Sequence, residues 1–368
     1  MLVCRVTYIE CKSKRRRSPL MFTAIVLPML MGLAVFLFGM KLMEAALHQW
    51  AGARLTSWLE RFTRTPLRGM AASAVLTAML QSSTAITVIA IGLVNAGVLT
   101  FARTLGIVLG TNIGTCLTTE LIGLSISGLG LPLLLIGAAG WLASWLLAGA
   151  LPPPAARRAI DGGRDCGNGG DATGAAPAAP TARGWQRSLR FGSLALAGFA
   201  LVLLGIAMLQ ALGPALEAQG LFAWFTAHAA QSLLWGVLAG AAVTALIHSS
   251  AAVIAMAMSL AASGALTPEL GIAITLGANV GTCATALIAA LGGSRAGQLV
   301  AWSHVVLNVG GALLFYPLLH QLAALSALLA HDPAAQIARA QTLFNVICSL
   351  IALPAAYLNS WSRLSLRS

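Results

Sequence analysis

Residues 78–87, AMLQSSTAIT, set Gln81, Ser82, Ser83 and Thr84 in a row inside an apolar run, and residues 245–254, ALIHSSAAVI, repeat the device with His248, Ser249 and Ser250. In lipid, such polar groups are tolerated only where they line a protein-enclosed cavity. A short helix starting just after each serine pair would point unpaired N–H groups and its positive end into that cavity, which suits an anion. Downstream of each cluster lies a glycine motif, GTNIGT at 110–115 and GANVGT at 277–282. Its glycines permit unwinding. Freed carbonyls, with Thr111, Asn112, Gly114 and Thr115 in the first motif and Asn279, Gly281 and Thr282 in the second, could then hold a hard cation such as Na+ through oxygen alone.

The surrounding chain is 58% hydrophobic and 9% charged, with a mean hydropathy of +0.85. This excludes an ordinary soluble domain and implies an all-α polytopic protein embedded in the lipid bilayer. No Lys or Arg occurs between residues 191 and 294, so the net charge of +12 sits in loops and tails. There it marks membrane orientation rather than nucleic-acid binding. The six cysteines form no CxxC pair and have no His or carboxylate neighbours at metal-ligand spacing. No zinc site, no disulfide framework and no cofactor is expected.

Apolar runs long enough to span a membrane fall at roughly 22–47, 131–150, 192–213, 297–320 and 336–358. Two further pairs of segments are interrupted: 69–97 by the QSST cluster and 103–124 by GTNIGT, then 236–264 by His248–Ser250 and 268–291 by GANVGT. Residues 68–124 align with 235–291 without a gap, at about 22 identities in 57 positions, and GLAVFLFGMKLM (32–43) resembles GFALVLLGIAML (198–209). The chain is an internal duplication. Its expected divisions are an N-terminal extension (1–21), a first half (22–151), a flexible cytoplasmic linker (152–190), a second half (191–295) and C-terminal transmembrane helices with a short tail (296–368).

Basic residues cluster at Arg54–Arg68, in the linker, at Arg295 and at the C-terminus, and the positive-inside rule assigns all of them to the cytoplasm. Both early clusters share that side only if 69–97 enters the membrane and returns as a hairpin, with 236–264 doing the same from outside. The expected fold is therefore two inverted repeats, each with a re-entrant helical hairpin and a broken transmembrane helix, in the cytoplasmic (inner) membrane. The basic run before Met21 contradicts this orientation, and the expectation is that Met21 is the true start.

QSST with GVLT and GTNIGT, and HSSA with GALT and GANVGT, resemble the paired motifs of the sodium-coupled phosphate cotransporter family, the type II Na/phosphate symporters and their bacterial relatives. GLAVFLFGMKLM and RAQTLFNVICSLIALP extend the resemblance, which covers 22–358 apart from the linker. It implies inorganic phosphate carried with Na+ as coupling ion, bound between two hairpin tips. Gln81, Ser82, Ser83 and Thr84 match the first motif, and Ser249 and Ser250 the second. His248, Ala251, Cys116 and Cys283 depart from it.

Three rival readings are open. A symporter for another oxyanion or a small carboxylate would use the same hydroxyls and helix ends. A membrane phosphatase built from inverted re-entrant repeats needs a nucleophile, a base and a charged clamp, yet no acid, His or Arg lies within twenty residues of Ser82 except Arg64 and Arg68 before the hairpin. An anion channel should show a charged or polar stripe rather than two compact breaks. His248 is a packing residue or a proton-coupling one, and His304, Asn308 and Asn345 either bond across the bundle or support the site.

Overall fold

A computed structural model describes residues 26–124, 127–150, 182–212, 215, 227–229 and 231–358. The expected start at Met21 and most of the linker lie outside the described residues. Among those described there is no strand. The helices of the first half are α1 (Leu27–Phe62), α2 (Pro66–Leu80), α3 (Ser83–Asn95), α4 (Phe101–Gly123) and α5 (Gly130–Ala150). Those that follow are α6 (Ala182–Gln210), α7 (Leu234–Ile247), α8 (Ser250–Ala262), α9 (Pro268–Gly281) and α10 (Cys283–Ala289), then α11 (Arg295–Phe315), α12 (Leu319–Leu329) and α13 (Pro333–Ala352). Seven described stretches are long and apolar enough to cross a membrane. The protein is a multi-pass membrane protein.

Local sequence explains where the helices begin. Thr65, Ser82, Ser249, Thr267 and Ser294 each accept a bond from a backbone N–H three residues on, and Asp332 accepts from Ala334 and Ala335. Proline follows directly at 66, 268 and 333, where its missing N–H costs nothing. At 15, 13, 14 and 13 residues, α2, α3, α7 and α8 reach about 20–23 Å, short of a hydrocarbon core about 30 Å thick.

Each short pair doubles back beside a long helix. Pro66 lies against Gly106 near the start of α4, while Gln81, at the far end of α2, is bonded to Thr118 near the end of α4. Helix α3 then returns to Asn95, a few residues before α4 begins. In the second half Gly236 meets Leu270 at the start of α9, and Gly281 at its end meets Thr244.

The glycine motifs do not unwind, which corrects the expected broken helices. Helix α4 runs unbroken through GTNIGT. Its counterpart is interrupted in assignment only at Thr282, whose φ of −59° and ψ of −25° are still helical. The glycines serve close packing instead. A Cβ on Gly114 would stand 2.5 Å from Ala74 O and 2.6 Å from Thr77 Cβ, and one on Gly281 would stand 2.5 Å from Ala241 O and 2.6 Å from Thr244 Cβ. These are small-xxx-small seams in which backbone lies on backbone, a usual way for helices to associate in lipid.

Helices α1 and α6, which carry the resembling segments 32–43 and 198–209, pack against each other in reverse order. Gly39 meets Gly198 and Val202, while Gly32 meets Met208 and Leu209 and Gly205 meets Phe36. The pair is antiparallel. Helix α6 begins at Ala182, inside the stretch read as linker.

Candidate functional site

At the first tip, Gln81 ends α2 in the left-handed conformation (φ 55°) and Ser82 caps α3. At the second, His248 (φ 59°) and Ser249 do the same, and these two are the only non-glycine residues with positive φ among those described. Such conformations cost on the order of 1–3 kcal/mol each, so the surrounding packing must enforce them. Ser82 Oγ and Ser249 Oγ each accept from the third residue of the following helix at 3.3 Å. The Ser83 and Thr84 amides, and those of Ser250 and Ala251, have no intrahelical acceptor.

Ser83, Thr84 and Thr87 of the first half meet Thr282 and Thr285 of the second and His304 of α11 in one tight cluster. It is too close-packed to admit a water-sized sphere. Gln81 Oε1 accepts from Thr118 Oγ1, and its Nε2 donates to Ala78 O. Ser249 and Ser250 do not line this cluster; they sit at the tip of the second pair, whose α8 packs on α4 and α13.

A second polar system ties the long helices together. Asn112 Nδ2 donates to Asn308 Oδ1 at 2.7 Å, and Asn112 Oδ1 pairs with His304 Nε2 at 3.2 Å. Asn308 Nδ2 donates to Cys283 Sγ at 3.4 Å, and Cys283 Sγ donates to His304 O at 3.5 Å. Helix α13 repeats the pattern: Asn345 Nδ2 donates to Cys116 Sγ at 3.4 Å, and Cys116 Sγ donates to Gln341 O at 3.8 Å. Thr119 Oγ1 donates to Gln341 Oε1 at 2.6 Å. The departures Cys116 and Cys283 thus sit at matching hydrogen-bonded junctions.

Of the expected cation ligands, Thr115 and Thr282 donate their hydroxyl hydrogens back to Asn112 O (2.7 Å) and Ala278 O (3.0 Å). That use of the hydrogen leaves the oxygen lone pairs outward, as a cation ligand requires. Thr111 is fully buried and donates to Val108 O. Asn279 Nδ2 donates to Thr275 O. Gly114 and Gly281 are packing positions, and α4 frees no carbonyls for a cation. Among the described residues no group of three or more His, Cys, Asp or Glu could hold a metal.

Sequence reasoning missed Glu44. Its Oε1 accepts from Ser82 Oγ at 2.5 Å and its Oε2 pairs with Lys41 Nζ at 2.8 Å, which puts a carboxylate from α1 at the first tip. It also missed Gln341, although HVVLNV (304–309) and QTLFNV (341–346) share a spacing that the sequence displays. Glu120 pairs with Arg339 and accepts from Thr342 Oγ1.

The sequence matches the family described as Na+/Pi-cotransporter over residues 35–149 and 213–331. YqeW of Bacillus subtilis, an uncharacterized protein, is 32% identical over 90% of this chain and 93% of its own length. YjbB of Escherichia coli, named provisionally as an inorganic phosphate export protein, is 24% identical over 89% of this chain and 53% of its own length, so the chain spans about half of that relative. The human sodium-dependent phosphate transport protein 2B is 35% identical over 26% of this chain and 14% of its own. No solved structure matches. With its doubled serine and glycine motifs, the chain belongs to the Na+/Pi-cotransporter family.

Proposed function

We propose that the protein is a Na+-coupled symporter of inorganic phosphate in the cytoplasmic membrane, built from two inverted repeats whose short helix pairs are re-entrant hairpins. One observation carries the reading most directly: two serine-capped helix starts, at Ser82 and Ser249, stand at the tips of helices too short to span the bilayer. The antiparallel pairing of the related helices α1 and α6 supports the inversion. Phosphate would be held by the hydroxyls of Ser83, Thr84 and Ser250 and the free N–H groups beside them, with Gln81, Ser82, His248 and Ser249 shaping the tips.

Na+ would take oxygen ligands near the same place, from Thr115 and Thr282, with Asn112 and Asn279 behind them. Glu44 supplies a negative charge at the first tip. A cation there lessens the repulsion between Glu44 and an arriving anion, which is a direct route to coupling. The direction of net flux follows the gradients. The test is radiolabelled phosphate uptake into proteoliposomes with and without an imposed Na+ gradient; uptake indifferent to Na+ would remove the coupling, and no phosphate uptake under any gradient would remove the substrate.

A further inference from the structure

Five buried side-chain atoms have no hydrogen-bond partner among the described residues, and two of them, Thr87 Oγ1 and His304 Nδ1, belong to residues of the hydroxyl cluster at the first tip. His304 is 2% exposed and Thr87 3%. An unpartnered polar atom at such depth has lost its hydration with no bond in return, so these two atoms point to a ligand.

The bonds around His304 decide what its ring can offer. Asn308 gives its Nδ2 hydrogens toward Cys283 Sγ, so its Oδ1 faces Asn112 and accepts from Asn112 Nδ2. Asn112 therefore turns Oδ1 to His304, and the ring must donate from Nε2. The hydrogen of a neutral imidazole is thereby spent. Nδ1 is left with a bare lone pair, an unpartnered acceptor on a residue that lines the hydroxyl cluster.

Phosphate at neutral pH keeps at least one P–OH and needs an acceptor for it, whereas sulfate carries no hydrogen and would meet that lone pair with an unprotonated oxygen. Resting on the transport reading above, we propose that His304 Nδ1 accepts the P–OH hydrogen of the substrate, so that His304 selects protonated tetrahedral oxyanions and rejects fully deprotonated ones. Because the cluster is closed, the anion enters by parting the first tip from α10 and α11. The matching position on α13 is Gln341, whose Oε1 is occupied by Thr119. Selection of the P–OH therefore belongs to the His304 side.

The test uses the full chain in proteoliposomes at neutral pH, with radiolabelled phosphate and three competitors of similar size. Arsenate keeps an As–OH; sulfate and monofluorophosphate are dianions without one. The native protein should be inhibited by arsenate at a constant within about threefold of the phosphate KM, and by the other two at least about a hundredfold less well. His304→Gln can still donate to Asn112 but loses the bare acceptor. It should raise the phosphate KM about tenfold or more and shrink the arsenate-to-monofluorophosphate gap below about tenfold. His304→Asn, which can place an oxygen near the Nδ1 position, should restore part of that gap.

Equal inhibition of the native protein by arsenate and monofluorophosphate overturns the inference without any variant, and an undiminished gap in His304→Gln overturns the role of His304. A native protein that takes up no phosphate under any gradient defeats the transport reading first, and this inference with it.

Discussion

Asn112 and Asn308 are joined side chain to side chain at 2.7 Å across 196 positions of the chain. The bond fastens the GTNIGT segment to α11, and the same Asn112 amide also engages His304. Asn112→Ala should therefore act on stability as well as on Na+ dependence. It leaves Asn308 Oδ1 and His304 Nε2 buried without partners, at about 2–6 kcal/mol together. The expected result is a clear fall in melting temperature in detergent even without Na+. An unchanged Na+-free melting temperature with a raised half-saturating Na+ would make Asn112 a ligand alone.

How much of this was legible depends on how local each signal is. The serine clusters could be read because a capping serine declares itself through its immediate neighbours, and Ser82 and Ser249 do cap helices. The glycines of GTNIGT were misread because the residue that permits unwinding also permits close packing; the choice is made by Ala74 and Thr77 on another helix. Glu44 passed unnoticed since its partner Ser82 is 38 residues away and nothing around it marks a site.

Ser83→Ala and Ser250→Ala should each lower phosphate kcat/KM by about 10–100-fold, the loss of one hydrogen bond to a charged ligand in a site closed to water. Both serines begin their helices without capping them, so expression and melting temperature should hold. Near-normal uptake in both variants would move the anion site elsewhere.

Charge and hydroxyl at the proposed cation site separate cleanly. Glu44→Gln keeps an acceptor for Ser82 Oγ but removes the negative charge, and Thr282→Val keeps the shape but removes the oxygen. Each should raise half-saturating Na+ about tenfold at saturating phosphate. If Na+ titrations of uptake coincide with the native curve, the cation is bound by other groups.

Gly114→Ala should prevent a monodisperse preparation or lower its melting temperature sharply, since the new Cβ meets Ala74 O and Thr77 Cβ at 2.5 and 2.6 Å; overpacking of this kind costs about 1–3 kcal/mol or more. Gly310→Ala in α11, where nothing lies within 4 Å, should be neutral or slightly stabilising. Equal stability of the two variants would show that the seam is not tightly packed.

Single cysteines test the inversion, once the native cysteines are replaced. Glu60→Cys and Ala175→Cys should both resist an impermeant thiol reagent added outside intact cells, while His331→Cys should react. Labelling of position 175 from outside would make 69–97 an ordinary span and remove the re-entrant hairpin.

The glycine seams also carry a mechanical consequence. Helices α2 and α7 lie along α4 and α9 over far more of their length than α3 and α8 do, and each meets its own partner arm mainly at the tip. Backbone locked on backbone leaves no side chain free to adjust, so α2 with α4, and α7 with α9, behave as two stiff beams. Each following helix, α3 or α8, is joined to its beam-forming neighbour through a single left-handed residue, Gln81 or His248, and α8 is in turn buried against α4, α9 and α13. Under the proposed transport function, an opening at the first tip would therefore turn α3 about Gln81 while the beams keep their shape, so the stroke would be set by a one-residue pivot rather than by bending of a long helix.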